Sequence, residues 1–244
     1  MKYKDTGLLI GQTQSGKSTL AKFLIMNYFY RYRTPEKGWE RPRILVLDTK
    51  PRWRGTKTAR GDATRLYNRM VPGDMLPAVV LQDMRDWDLV WDPAFNLTGI
   101  VVVQGKDHGS KSDLALQVEA ATAFYNTMYY RQPSFIYVDE GHDFYGPTGM
   151  AKYGDVLQRC WRAGKEQGIT ALMGVQRPKV INLQLLTESN VMYLFHIAYE
   201  EDLSRLREMG VPKTLQTSPP MYSYRFRFFK DGMLYPLPVR IGVS

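Results

Sequence analysis

Most of the apolar residues in this chain fall into short, nearly continuous runs that are rich in β-branched side chains. Runs of this kind are typical of strands buried on both faces of a sheet. They predict strands at residues 7–10, 44–47, 78–81, 99–103, 135–138, 170–175 and 191–197. Helical spacing between them predicts helices at about 16–30, 113–129, 155–165 and 201–209. This alternation indicates an α/β fold with a mostly parallel sheet, covered on both faces, whose ligands lie at the carboxyl ends of the strands.

The C-terminal part of the chain follows a different pattern. Aromatic and polar side chains alternate over residues 222–228, which is the period of a half-buried strand. Asp231 and Gly232 then supply a two-residue turn before a second apolar stretch, so an antiparallel hairpin is predicted at about 222–244. Because no repeat, low-complexity tract or long linker divides the chain, we expect a single domain over residues 1–244 that includes this hairpin.

The composition and the charge narrow the possible classes of protein. Hydrophobic residues make up 44% of the 244 residues and charged residues 23%, which argues against a disordered, collagen-like or coiled-coil chain. Lys and Arg number 33 against 24 Asp and Glu, and this net charge of +9 favours a polyanionic partner. Most of the excess is local, since ten basic and three acidic residues lie within 31–60.

The cysteine content and the apolar run lengths bear on the compartment. Cys160 is the single cysteine, so the chain can form neither an internal disulfide nor a cysteine zinc site, and a reducing compartment is expected. The longest apolar runs fall far short of the roughly 18 residues that span a bilayer. We therefore expect a soluble protein that is not secreted by a cleaved signal.

A phosphate-binding loop is the strongest motif. The residues GQTQSGKS satisfy G-x-x-x-x-G-K-[ST] between a predicted strand and a predicted helix, which is the context that such a loop requires. Its backbone N–H groups would cradle phosphates, Lys17 would reach the β- and γ-phosphates of ATP, and the Ser18 hydroxyl would ligate Mg²⁺. The predicted nucleotide-binding residues are Gly11, Gln12, Thr13, Gln14, Ser15, Gly16, Lys17 and Ser18.

Two acids end the predicted strand at 135–138. Asp139 would hold Mg²⁺ through its hydration shell, and Glu140 would orient and deprotonate the attacking water. An exposed acid is common at a strand end, so the acid pair indicates a nucleotide site only in combination with the phosphate loop. A glutamate placed to polarise water favours ATP hydrolysis coupled to work over a small-molecule kinase or a switch GTPase.

Two further polar residues are candidates for the same site. Gln176 ends the strand predicted at 170–175, where an amide can hydrogen-bond both phosphate and water, although a terminal glutamine is more often a plain strand cap. In the preceding helix the apolar side chains fall on one face, which predicts an exposed Arg162 with Arg159 near the edge. An exposed arginine is usually a solvated side chain, but in a ring ATPase Arg162 would act as an arginine finger in the neighbouring subunit's site.

Together these segments resemble the HerA/FtsK superfamily of DNA-translocating ATPases. The resemblance rests on GQTQSGKS, ILVLDTK, FIYVDEGHDF and WRAGKEQGITALMGVQRP, in that order, over about residues 6–178. It implies a RecA-like, three-layer core that forms a ring, usually a hexamer, around double-stranded DNA and moves it with ATP and Mg²⁺. Lys17 and Ser18 match the loop residues, Asp139 and Glu140 the magnesium and water residues, and Gln176 the sensor. The finger would be Arg162, with Arg159 and Arg177 as alternatives.

The departures from the superfamily point to a narrower group. The phosphate loop begins at residue 11, which leaves no room for the N-terminal barrel of HerA helicases, and no membrane helix of the FtsK or coupling-protein kind is expected. What remains looks like the genome-packaging ATPases of membrane-containing icosahedral viruses. These would work in the host cytoplasm or at a packaging vertex of the virion, docked to a capsid or viral membrane protein. The alternatives are a cellular or plasmid DNA translocase, a nucleotide kinase, or an assembly module of the zonular-toxin kind.

Two places are candidates for contact with DNA. The first is the basic loop after Asp48, at residues 50–60, which could track phosphates without reading bases. The loop could equally be solvated or face a capsid. The second candidate is the pair Arg225 and Arg227, which share one face of the predicted C-terminal strand.

Overall fold

Strands and helices alternate through the core of the molecule, as the apolar pattern predicts. The computed structural model describes residues 3–33, 41–49, 63–67, 75–96, 98–104, 111–127, 133–144, 155–212, 225–230, 233–234 and 239–240. The strands are β1 (Thr6–Ile10), β2 (Arg43–Asp48), β3 (Ala63–Tyr67), β4 (Met75–Leu81), β5 (Ile100–Gln104), β6 (Ser134–Val138), β7 (Ile169–Val175), β8 (Val191–Leu194), β9 (Arg225–Lys230), β10 (Met233–Leu234) and β11 (Val239–Arg240). The α-helices are α1 (Lys17–Tyr32), α2 (Lys111–Thr127), α3 (Asp155–Arg162), α4 (Leu183–Thr187) and α5 (Glu200–Glu208).

One sheet contains the strands in the order β10-β9-β8-β1-β7-β6-β2-β5-β4-β3, with β11 paired to β9. Every neighbouring pair from β8 across to β4 is parallel. The pairs β3–β4 and β8–β9 at the two sides are antiparallel. The predicted α/β fold with a mostly parallel sheet is therefore confirmed.

Helices cover both faces of the sheet, because alternate residues of each buried strand point to opposite sides. Leu9, Ile44 and Val46 join the apolar layer under α1. Leu8, Leu45 and Leu47 point the other way, into the layer formed with α2, α3, α4 and α5. The expected three-layer arrangement is confirmed.

The C-terminal hairpin is confirmed as well. Met233 pairs with Lys230 and Leu234 with Phe229, so β9 and β10 are antiparallel across a two-residue connection. The second arm continues as β11, which pairs Val239 with Phe226. The predicted turn at 231–232 and the aromatic positions before residue 225 lie outside the described residues.

Each strand and each helix predicted from the sequence is present, with ends that shift by a few residues. Among the described strands and α-helices, two were not predicted. The edge strand β3 has only five residues and is held by its antiparallel partner β4. The five-residue α4 is too short to show helical spacing, and it begins where the Asn182 side chain accepts a hydrogen bond from the backbone N–H of Gln184.

Candidate functional site

The predicted phosphate loop connects the carboxyl end of β1 to the first turn of α1, which begins at Lys17. Both neighbouring strands hold it in place. The backbone N–H of Gly11 donates to the carbonyl of Val175 at the end of β7, at 3.0 Å, and that of Gln12 donates to the carbonyl of His196 just after β8, also at 3.0 Å. The loop is thus fixed at the sheet edge where parallel α/β proteins bind ligands.

Gly11 is required by a close approach between the loop and the segment after β8. A Cβ atom at this position would lie 2.6 Å from the Cβ of Phe195 and 3.1 Å from the carbonyl oxygen of His196. Phe195 is fully buried, so it has no free space into which it could move away from such a Cβ atom. The first glycine of the motif is therefore set by packing as well as by the tight turn.

Lys17 and Ser15 are the side chains of the loop that fit a phosphate. Lys17 is buried, and its ammonium donates to the carbonyls of Gly11 at 2.6 Å and Gln12 at 2.7 Å, so the charge is held over the loop itself. The Ser15 hydroxyl is buried and has no hydrogen-bond partner among the described residues. A buried cation with a donor nearby is an arrangement that favours an oxyanion.

The acid pair lies at the same edge, on β6. One strand, β7, separates β6 from β1, so the loop and the acids are about 10 Å apart, which is two inter-strand spacings. Asp139 is completely buried, its backbone N–H donates to the Leu47 carbonyl at 2.9 Å, and its carboxylate Oδ1 accepts a hydrogen bond from the Tyr137 hydroxyl at 2.8 Å. These two contacts hold Asp139 in place at the carboxyl end of β6.

Glu140 and Gln176 contact each other at the ends of the neighbouring strands β6 and β7. Glu140 is 1% exposed, and its carboxylate Oε2 accepts a hydrogen bond from the Gln176 side-chain amide at the end of β7. The His142 ring nitrogen Nδ1 lies 3.4 Å from the same oxygen. Glu140 has a φ of 55°, an uncommon backbone conformation for a residue with a side chain, and such residues cluster at functional sites.

The three candidate arginines differ sharply in their surroundings. Arg162 and Arg159 are exposed on α3, as predicted, and both line a groove of about 380 Å³ together with Asp155, Gln158, Ala163 and Glu166. Their role between subunits stays a prediction.

Arg177 has partners inside its own chain. Its Nε donates to the carboxylate of Asp202 at 2.7 Å, and its guanidinium carbon lies 4.2 Å from the centre of the Tyr199 ring. Asp202 is 1% exposed and also accepts from the backbone N–H of Lys179 at 3.1 Å. Arg177 therefore ties the segment after Gln176 to the start of α5.

The basic stretch at 31–60 is only partly a surface feature. Arg41 is buried and donates to the carbonyl of Trp91 at 2.8 Å, and the guanidinium of Arg43 lies 5.7 Å from the centre of the Trp91 ring. Burial lowers the pKa of Arg43. Two of the ten basic residues thus support the amino end of β2, at the opposite edge of the sheet from the phosphate loop, and they were not among the candidates for contact with DNA.

The remaining DNA candidates stay predictions. Residues 50–60, with Lys50, Arg52, Arg54, Lys57 and Arg60, lie outside the described residues. Arg225 is exposed and Arg227 half-buried on β9. Phe226, between them, is buried against Tyr193 and Phe195, which leaves the arginines on the opposite face of the strand from the aromatic cluster.

A metal at this site would need ligands from outside the protein. Among the described residues, no group of three or more His, Cys, Asp or Glu side chains is arranged to hold a metal ion. Mg²⁺ commonly binds through one or two protein oxygens plus substrate phosphates and water. The Ser18 hydroxyl and the Asp139 carboxylate are oxygen donors of that kind, so the residues fit magnesium bound together with a nucleotide.

Sequence reasoning missed several residues of the site. Tyr137 looked like an ordinary core aromatic in FIYVDE, although it lies only two residues before Asp139. Gly174 looked like a core glycine, because its approach to Asp139 depends on the pairing of β6 with β7. Asp202 and Tyr199 gave no signal, since they follow Arg177 by more than 20 residues. His142 was visible in the motif DEGH, but its contact with Glu140 was not considered.

No protein-family model and no curated protein matches the chain. Solved structures do match it over nearly its whole length. The genome packaging NTPase B204 from Sulfolobus turreted icosahedral virus 2 in complex with AMPPCP is similar with a TM-score of 0.62 and 13% identity, covering 98% of each chain. The same protein in complex with ATP-gammaS gives a TM-score of 0.58 at 14% identity, covering 95% of this chain and 96% of that one.

A bacterial protein is also similar. EssC (ATPases 2 and 3) from Geobacillus thermodenitrificans matches with a TM-score of 0.52 and 12% identity, covering 93% of this chain and 38% of that one. At these identities the likeness establishes the fold, and the resemblance expected from the motifs is confirmed at that level. In the described part of the chain, no helix has the length and apolar character that crossing a bilayer requires.

Proposed function

We propose that this chain is an ATP hydrolase that moves double-stranded DNA, and that its specific task is to package a viral genome into a preformed capsid. One observation carries the proposal. The phosphate loop, Asp139 and the hydrogen-bonded pair Glu140–Gln176 meet at one edge of the sheet, on three adjacent strands. This is the set of groups that phosphoryl transfer from ATP to water requires.

The loop would bind the phosphates of ATP. Its backbone N–H groups and the first turn of α1 face the anion, and Lys17 would exchange the carbonyls of Gly11 and Gln12 for phosphate oxygens. The exchange replaces neutral acceptors by charged ones, and charge-assisted hydrogen bonds are roughly twice as strong. Ser15, whose buried hydroxyl has no hydrogen-bond partner among the described residues, would donate to the same phosphates.

Ser18 and Asp139 would hold Mg²⁺, which neutralises the charge that develops on the phosphate oxygens. Glu140 would accept a proton from water as the water oxygen attacks the γ-phosphorus and the bond to the ADP oxygen breaks. Gln176 donates to the Glu140 carboxylate and so holds it in one orientation. Its uncharged amide can also contact the γ-phosphate without competing for the metal.

The DNA-moving step is supported by charge and by likeness of fold. A surplus of nine positive charges favours a polyanionic partner, and transport without sequence preference needs contacts to backbone phosphates only. The B204 structures that match nearly end to end are described as a genome packaging NTPase. On this proposal the chain forms a ring, as a hexamer, with Arg162 reaching into the neighbouring site, and it docks on a capsid or viral membrane protein in the host cytoplasm.

A cellular or plasmid DNA translocase is the second candidate. The fold also matches EssC from Geobacillus thermodenitrificans over 93% of this chain, so the likeness of fold is not confined to viral proteins. The neighbouring genes separate the two candidates. A double-jelly-roll capsid gene beside this one supports packaging, and a conjugation or cell-division cluster supports the second candidate.

The experiment that tests the proposal is steady-state ATP hydrolysis with and without linear double-stranded DNA. We expect hydrolysis by the wild-type chain to be stimulated by DNA, and hydrolysis by Lys17→Ala and Glu140→Gln to be lower by at least 10²-fold. Phosphate transfer from ATP to a nucleotide acceptor, at a rate that DNA does not change, would instead indicate a kinase and contradict the proposal.

A further inference from the structure

Tyr137 forms a contact with the Asp139 carboxylate that hydrolysis of ATP does not by itself require. Tyr137 and Asp139 are two residues apart on β6, so their side chains lie on the same face of the sheet. The phenol extends along that face, and its hydroxyl donates to Oδ1 of Asp139 at 2.8 Å. Both side chains are completely buried.

The phenol is the donor in this contact. A carboxylate accepts hydrogen bonds only, so the Tyr137 hydroxyl donates its proton to Oδ1 of Asp139. A donor bound to one carboxylate oxygen fixes the rotation of the whole carboxylate, and with it the direction of the second oxygen.

The neighbouring strand leaves room for this pair at a glycine. A Cβ atom on Gly174 of β7 would lie 3.2 Å from the Tyr137 hydroxyl oxygen and 3.4 Å from Oδ1 of Asp139. The 3.2 Å contact is shorter than most, so an added methyl group would displace the Tyr137 hydroxyl. The absence of a side chain at Gly174 therefore leaves the space in which the hydroxyl and the carboxylate meet.

We propose that Tyr137 is a positioning residue for magnesium, which acts by holding the Asp139 carboxylate in the orientation that a Mg²⁺-bound nucleotide needs. The inference rests on the proposed function, because it takes Asp139 as the magnesium residue. Groups that orient a metal-binding carboxylate typically change metal affinity by 10- to 100-fold when removed.

The chain offers a matched control in Tyr28. Its side chain is likewise buried, and its hydroxyl donates to the Ser134 carbonyl, at 3.1 Å, at the amino end of the same strand β6. Tyr28→Phe removes one buried hydroxyl from β6 as Tyr137→Phe does, but at the edge of the sheet away from the nucleotide.

The test is calorimetric binding of the non-hydrolysable analogue AMPPNP, once with excess Mg²⁺ and once with EDTA, with circular dichroism to verify folding. We expect Tyr137→Phe to weaken binding about tenfold in Mg²⁺ and to leave binding in EDTA unchanged. Tyr28→Phe should match the wild type in both conditions. Gly174→Ala should shift binding in the same direction as Tyr137→Phe, and it provides a second variant if Tyr137→Phe does not fold.

Two outcomes would overturn the positioning role. One is a Tyr137→Phe variant that binds as tightly as the wild type in Mg²⁺. The other is an equal loss in Mg²⁺ and EDTA, which would mean general damage to the site. Failure of the proposed function has a different signature, because the wild-type chain would then fail to bind AMPPNP, or would bind it no better with Mg²⁺ than without.

Discussion

Replacing Gln176 with glutamate should bring two carboxylates into contact at the candidate site, where they repel each other. The wild-type amide donates to the buried carboxylate of Glu140. The variant keeps the shape of the side chain but removes this donor and adds a negative charge. The perturbation therefore tests the pair itself, without opening a cavity.

The expected loss of stability follows from the burial of the two groups. A hydrogen bond to a charged group contributes about 2 kcal/mol. Two carboxylates about 4 Å apart repel by up to about 4 kcal/mol at an effective dielectric constant of about 20. Because Gln176 is only half-buried, and because one carboxyl group can bind a proton instead, we expect a total loss of about 3 kcal/mol at neutral pH.

The loss should depend on pH in a defined direction. In the folded variant one of the two carboxyl groups retains a proton that the unfolded chain releases at about pH 4 to 5. The folded state then binds more protons than the unfolded state, so the free energy of unfolding falls as the pH rises from about 5 to 8. Urea denaturation of wild type and Gln176→Glu at both pH values measures the difference.

The swapped variant Glu140→Gln/Gln176→Glu provides the control. It restores one amide against one carboxylate, so it should recover most of the stability while remaining inactive in ATP hydrolysis, because the carboxylate is now on the wrong strand. A Gln176→Glu variant that is as stable as the wild type at pH 8 would refute the reasoning, since it would mean that the two side chains are not in contact.

Three further predictions concern residues around the site. Arg177→Ala should lower the free energy of unfolding by about 3 kcal/mol in urea denaturation, because it removes a charged donor from the buried Asp202 carboxylate. A loss below about 1 kcal/mol would contradict a stabilising contact between Arg177 and Asp202. Arg41→Gln should also reduce thermal stability, because the buried side chain loses its hydrogen bond to the Trp91 carbonyl. It should leave the salt dependence of DNA binding unchanged. A weaker dependence of the DNA affinity on salt concentration would instead indicate that Arg41 contacts DNA. Burial raises the pKa of Cys160 to about 12, so iodoacetamide should modify it at pH 8 only as fast as the protein unfolds, and rapid labelling of the native protein would be inconsistent with the core.

Most of the fold was predictable because its core strands are short and buried on both faces. Such strands read as continuous apolar runs, and the run at 135–138 was found within one residue of β6. The edge strand β3 lacks that signal, since it gains its structure from pairing with β4. The helix α4 has fewer than two turns, which is too few for a period to be visible.

The site was predictable where its residues are adjacent in sequence. The phosphate loop and the acid pair are local motifs, and the order of the strands brings them to one edge. The hydrogen bond between Gln176 and Glu140 joins residues 36 positions apart, and neither the local motifs nor the resemblance to a known superfamily predicts it.

The charge pattern does not show which basic residues are buried. Arg41 and its acceptor, the Trp91 carbonyl, are 50 residues apart. Nothing in the local sequence separates a buried arginine from a solvated one, so the count of basic residues at 31–60 does not reveal that Arg41 is buried and Arg43 half-buried.

Displacement of a third strand from DNA tests the central claim most directly. A fluorescent oligonucleotide bound as a triplex at one end of a linear duplex is released when a motor travels along that duplex. We predict release by the wild-type chain with ATP and Mg²⁺, and none by Glu140→Gln or with AMPPNP. An active ATPase that leaves the triplex in place under these conditions would contradict the account of this chain as a DNA translocase.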